Sequence, residues 1–168
     1  MIRKEYIENF IKSEIDLNNL YKNKCIYETN KIKNTNISIG VSFESDECNN
    51  EYYIYNLFVN EEYININNKG YIENKLPNSV LEELEHNINN LIIKDIKYGS
   101  IIKFNWINEI NTIMLINNIT GGTGFYCCGL DLSSKEILFD CKNINDFINT
   151  YKNNIIEKVG DFDELFSL

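Results

Sequence analysis

The chain has no alanine, no glutamine, one proline (Pro77), one histidine (His86) and one arginine (Arg3). Asn, Ile, Lys and Tyr fill the gap. Their codons are AT-rich, so the many asparagines record a genome's base composition rather than a chemistry. The single arginine removes the side chain that makes bidentate contacts to phosphate and guanine. A formal charge of −9, from 25 acidic against 16 basic residues, repels a polyanion as well. These features exclude nucleic acid as the expected partner and favour a basic protein, whose encounter an acidic surface speeds. No run approaches the roughly 20 apolar residues of a membrane span, and Met1–Glu5 opens on charge rather than on a signal-peptide core. No CxxC pair occurs among Cys25, Cys48, Cys127, Cys128 and Cys141, so neither a zinc ribbon nor a thioredoxin-type motif is present. Reduced thiols in a cytoplasmic protein, away from any membrane, are the expectation.

What the chain does hold is a core. Apolar residues make up 43% and aromatics 12% of its 168 positions, enough for one domain spanning residues 1–168. Ile2, Tyr6, Ile7, Phe10, Ile11, Ile15 and Leu20 recur at helical spacing, predicting an amphipathic helix of about five turns that ends near Leu20. From Cys25 the period changes to two. Strands are expected at Cys25–Thr29, Ile37–Phe43, Tyr52–Val59 and Tyr63–Asn67, with Asn68-Lys69-Gly70 as the closing break. Alternation in Ile37–Phe43 predicts a strand buried on the Ile37, Ile39, Val41, Phe43 side only. A second helix opens around Leu76-Pro77-Asn78-Ser79, with Ser79 and Glu82 spaced as a capping box and Val80, Leu84, Ile88 and Leu91 as its stripe. Strands at Ile101–Ile107 and Thr112–Ile119, joined across Asn108–Asn111, lead to the glycine turn Thr120–Gly124. GFYCCGLDL, a Ser133-Ser134-Lys135 turn and EILFD follow. A last helix from Asn143, with Asp146 in its first turn and Gly160 as its C-cap, completes the pattern. The expected class is α+β, a mostly antiparallel sheet of about six to eight strands with N-terminal, middle and C-terminal helices.

The glycine turn offers backbone N–H groups, but it leads into a strand and no Walker lysine follows it. A hairpin turn needing positive φ accounts for it better than a phosphate loop. Cys127 and Cys128 are the candidate nucleophiles; the only imidazole is His86, on the polar side of the second helix beside Glu82, Glu83 and Glu85. No metal-ligand spacing appears and no cofactor motif is seen. Glu44, Asp46, Glu47 and Glu51 cluster in one loop, and Glu61 and Glu62 join them if the two loops meet at one end of the sheet. These six are the candidate partner-binding residues. Trp106 and Tyr52-Tyr53-Ile54-Tyr55 fit either interface anchors or core.

Ile116–Tyr151 carries Gly121-Gly122-Thr123-Gly124-Phe125-Tyr126, Leu130-Asp131-Leu132, Ile137-Leu138-Phe139-Asp140 and Asn145-Asp146-Phe147-Ile148. This order resembles the C-terminal part of the SUKH (SMI1/KNR4-like) superfamily. The family's Leu-Pro-x-x-Tyr element is absent: Leu76-Pro77-Asn78-Ser79 has the dipeptide without the tyrosine. The resemblance implies a non-enzymatic immunity protein that neutralises a bacterial toxin by direct binding. Other readings are a phage or mobile-element inhibitor of a host defence nuclease, a small acidic secretion chaperone, and a small enzyme or ligand-binding domain using Cys127 or Cys128.

Overall fold

A computed structural model describes residues 1–20, 26–71, 74–120 and 124–162. The chain divides into two compact units, Ile2–Asn90 and Leu91–Leu168 with Met1. The first unit contains α1 (Lys4–Glu14), β1 (Tyr27–Glu28), β2 (Ile37–Ser45), β3 (Glu51–Val59), β4 (Glu62–Tyr71) and most of α2 (Asn78–Lys94). Its sheet is an antiparallel meander in the order β1-β2-β3-β4.

Helix α1 is shorter than its apolar spacing predicts. Asp16 ends it by turning its carboxylate back on the backbone: Oδ1 accepts from Asn18 N at 3.0 Å and Oδ2 from Asn19 Nδ2 at 2.6 Å. Ile15, Leu17 and Leu20 are buried all the same, so the apolar pattern reported burial correctly at Ile7, Ile11, Ile15 and Leu20, though not at exposed Tyr6, and helix length incorrectly. The start of α1 is tied to α2 by a reciprocal pair, Ile2 N to Asn89 Oδ1 and Asn89 Nδ2 to Ile2 O, both 2.9 Å.

One face of the four-stranded sheet carries Ile37, Ile39 and Val41 opposite Val59, Leu57 and Tyr55. Tyr53 donates to Leu17 O at 2.8 Å and Tyr55 to Lys75 O at 2.5 Å, so both hydroxyls find partners where their rings are buried. Burial pushes both phenols up from their ordinary value. Contrary to the one-sided expectation, β2 is buried on both faces from Ile37 to Ser42. The reason lies in its neighbours: a Cβ on Gly40 would meet the Phe58 ring at 2.5 Å and Ile26 Cγ2 at 2.9 Å. Large side chains from the flanking strands therefore roof the small residues of β2. Gly70 likewise is no break. It lies within β4 opposite Tyr53, and a Cβ there would collide with the Lys75 carbonyl, so glycine serves a close backbone approach.

Helix α2 buries Val80, Leu81, Leu84, Ile88 and Ile92, close to the expected stripe. The capping box is not formed. Ser79 is already inside the helix; the first turn hangs from the Pro77 carbonyl, which accepts Val80 N at 3.0 Å and Leu81 N at 3.2 Å. Glu82 instead accepts from Asn78 Nδ2 at 2.6 Å and pairs with Lys4 at 3.6 Å.

The second unit contains β5 (Ser100–Trp106), β6 (Glu109–Thr120), β7 (Gly124–Asp131), β8 (Ile137–Cys141), α3 (Ile144–Tyr151), a 3-10 turn (Lys152–Asn154) and β9 (Ile155–Asp161). The sheet order is β8-β7-β6-β5-β9, antiparallel throughout. Phe104 organises its core: its ring lies 5.1 Å from Phe139, 5.8 Å from Tyr151, 5.9 Å from Phe147 and 6.2 Å from Trp106. Trp106 and Tyr52, Tyr53 and Tyr55 are thus packing residues, with Trp106 within this ring cluster and the tyrosines buried in the first unit. The strands of the glycine hairpin pair as far as Thr120 opposite Gly124; Gly121–Thr123 lie outside the described residues, as do residues 163–168.

Asn143 caps α3, accepting Asp146 N at 2.9 Å, while Asp146 accepts Lys142 N at 3.1 Å. The helix then stops at Tyr151, and Gly160 is not its cap. Asn153 and Asn154 are weak helix formers, and Ile155, Ile156 and Val159 favour a strand. They supply β9, which covers the open edge of β5. A buried network pins that strand. Asp161 accepts Ser100 Oγ at 2.6 Å, Lys158 Nζ at 3.1 Å and Lys97 Nζ at 3.2 Å; Lys158 also pairs with Asp95. Burial alone would raise the Asp161 carboxyl, but these donors outweigh it and hold it below the ordinary range.

Nine strands in two antiparallel sheets and three helices are described. The fold is α+β and mostly sheet, with helices N-terminal, middle and C-terminal, as expected.

Candidate functional site

The β2–β3 hairpin gathers Glu44, Asp46, Glu47 and Glu51 at one end of the four-stranded sheet, where Ser45 pairs with Glu51 and Glu44 with Tyr52. Asp46 is occupied by the loop itself. Its Oδ1 accepts Cys48 N at 2.9 Å and Asn50 N at 2.8 Å, and its Oδ2 accepts Asn50 Nδ2 at 3.0 Å. The Asn50 side-chain bond does most to lower its carboxyl, with the Lys69 charge contributing. Glu44 and Glu47 remain exposed and Glu51 is half-buried. Lys69 sits at the same end, its ammonium 4.0 Å from the Tyr52 ring centre.

Glu61 and Glu62 do not join them. They lie at the β3–β4 turn, a two-residue turn in which Asn60 (φ 50°) and Glu61 (φ 71°) are both left-handed. Glu62 pairs with Val59 and Glu44 with Tyr52, so about seven residues of strand, roughly 23 Å, separate them. That exceeds the Debye length of about 8 Å at physiological salt. The six acidic residues form two separate groups.

Beside the first group lies the second face of the sheet. Register places Ser38, Gly40, Ser42 and Glu44 of β2 there with Phe58, Asn56, Ile54 and Tyr52 of β3. A cavity of about 510 Å³ opens on it, lined by Ile26, Ser42, Phe43, Glu44, Ser45, Ile54, Asn56 and Tyr63. Its floor is polar: Asn56 is only 2% exposed and its Oδ1 accepts the Tyr63 hydroxyl at 3.0 Å. Its walls are apolar and open, with Ile26 45% and Tyr63 51% exposed. Glu44 is its one charged side chain among the described residues. Sequence reading missed this site because its residues come from three strands and from Ile26 just before β1, and only register brings them together. A groove of about 870 Å³ beside α1 holds more charges, Glu8, Lys12, Glu14, Asp16 and Lys75. Each is already engaged: Lys12 with Glu8, Glu14 with Asn30, Lys75 with Asn18, and Asp16 with its own turn.

The cysteines sit unlike nucleophiles. Cys127 pairs with Cys141 across β7–β8 and faces the core, while Cys128 points to the other face. Burial pushes the Cys127 thiol up to about 12 and the Cys141 thiol up to about 11, far from the thiolate that nucleophilic chemistry uses. His86 is exposed on α2, with its Nε2 2.9 Å from Asn90 Nδ2. Among the described residues no cluster of three His, Cys, Asp or Glu is placed to hold a metal, and no helix is long and apolar enough to cross a membrane.

No family model, no curated protein and no solved structure matches the chain. The SUKH resemblance therefore rests on its motifs alone.

Proposed function

We propose that the protein is a non-enzymatic, acidic binding protein of the bacterial cytoplasm, an immunity protein that neutralises a cognate toxin by direct contact. The observation that carries this reading is the β2–β3 end of the first unit. There, exposed carboxylates of Glu44 and Glu47 stand beside an open sheet face with apolar walls. Opposite charge at a rim speeds encounter, and an apolar centre supplies affinity. The −9 charge of the chain acts in the same direction. The Cys127 or Cys128 enzyme finds no support in thiols that are buried, the Cys127 thiol being pushed up by that burial.

The experiment is co-expression with the product of the adjacent gene. The reading predicts that a product toxic alone becomes harmless with this protein present, and that the two purify as a stoichiometric complex. Unrelieved toxicity of every neighbouring gene product, with no complex, would sink it.

A further inference from the structure

The cavity on the open face of the four-stranded sheet has a chemistry more specific than general acidity. Among the described residues its one charged wall residue is Glu44, and no lysine or arginine lines it. Ile26, Ile54 and the Tyr63 ring form its apolar walls, while Ser42 and Asn56 lie beneath them as polar groups, both under 10% exposed. The Tyr63 ring is braced edge-on by Phe58, centroids 5.6 Å apart, and held by its hydroxyl to Asn56. An aromatic ring fixed at both ends, aliphatic walls, amide and hydroxyl oxygens below and a carboxylate at the rim suit one kind of group. That group is a cation on an apolar stem. The stem lies along the isoleucines and the ring face, and the cation reaches the carboxylate, with the neutral acceptors nearby.

We propose that this cavity receives a single lysine or arginine side chain presented by the protein partner. The proposal rests on the binding reading above and deepens it by naming what the surface recognises. Glu44 fixes the charge of the guest and Tyr63 its stem. The cavity is part of the folded sheet, so it accepts such a side chain without the rest of the partner.

The test uses side-chain analogues on the full-length protein: N-acetyl-lysine methylamide, N-acetyl-arginine methylamide and neutral N-acetyl-norleucine methylamide, titrated at low salt while amide and isoleucine methyl resonances are followed. Saturable shifts confined to Ile26, Ile54, Asn56 and Tyr63 are expected for the cationic analogues, with at least a threefold smaller response to norleucine. Glu44→Gln should weaken the cationic response severalfold, Tyr63→Leu should weaken it with the fold intact, and Glu61→Gln, at the far end of the sheet, should leave it unchanged. Equal response to norleucine, indifference to Glu44→Gln, or absence of localised shifts up to the solubility limit would overturn the proposal. If the analogues fail while a toxin complex forms, the cavity assignment alone falls. If they bind and no toxin complex exists, the immunity reading falls and the cationic site stands.

Discussion

The β5–β6 turn gives a direct way to measure backbone strain in this fold. Ile107 and Asn108 form its two central positions with φ of 49° and 65°, both left-handed. Asparagine tolerates that region; a β-branched residue does not, because its Cβ crowds the following carbonyl at a cost of about 1–2 kcal/mol. Ile107 recovers little by burial, since 79% of it is exposed. Ile107→Asn therefore removes the strain at small cost in packing and should stabilise the second unit by about 1 kcal/mol. In a protein of this size that raises the melting midpoint by about 2–4 °C. Urea and thermal unfolding followed by circular dichroism and by Trp106 fluorescence read the change. Asn108→Ala is the opposing control and should lower the midpoint, because alanine takes the same left-handed position less readily. An Ile107→Asn variant no more stable than the parent would refute the strain argument.

Further predictions concern acid, glycine and thiols. The Asp131 carboxyl is held down to about 2, first by the Ser133 hydroxyl and then by Ser134, and Asp161 also lies below the ordinary range. A depressed carboxyl contributes fully above the unfolded value of about 3.9 and loses its contribution as pH falls toward the folded one. The urea midpoint should therefore fall between pH 4 and pH 2, and Asp161→Ala should flatten part of that fall. At pH 7, Asp161→Ala should cost about 3 kcal/mol by leaving Lys158 short of a buried partner. Gly70→Ala should destabilise by about 3 kcal/mol and Gly40→Ala by nearer to 1, because the first meets the Lys75 backbone and the second the movable Phe58 and Ile26 side chains; paired urea titrations compare them. Iodoacetamide at pH 8 should label exposed Cys48 promptly and leave Cys127 and Cys141 unlabelled until urea unfolds the chain, as peptide mapping would show.

Element identity was largely legible in the sequence; element ends and the site were not. Apolar periodicity located all three helices and the strands of both sheets except β9, whose Ile155 and Val159 also fit the stripe of the last helix, because burial selects it directly. It failed where side chains compete with the backbone, as when Asp16 closes its own turn and ends α1 with buried apolar residues still to come. Turn residues were an uneven guide. Gly70 resembled a break yet occupies a strand for close packing; Asn60-Glu61 makes the expected turn, whereas the turn expected at Asn108–Asn111 is the tighter Ile107-Asn108, without glycine. The acidic hairpin was visible as a cluster. Its separation from Glu61 and Glu62 was not, because strand direction decides which loops share an end. The cavity needed register, which no single segment encodes: Ser42 and Ile54 become neighbours only when β2 pairs with β3.

The claim that the β2–β3 end of the sheet engages a basic partner meets its most direct test in association rates. The protein and the co-purifying partner would be mixed by stopped flow at about 20 mM and 150 mM salt, with Glu44→Lys/Glu47→Lys compared against Glu61→Lys. The account predicts that the double reversal slows association about tenfold or more at low salt and weakens its salt dependence. Glu61→Lys, roughly 23 Å along the strands, should change the rate less than about twofold at physiological salt. Equal effects from the two ends, or an unchanged rate for the double reversal at low salt, would contradict it.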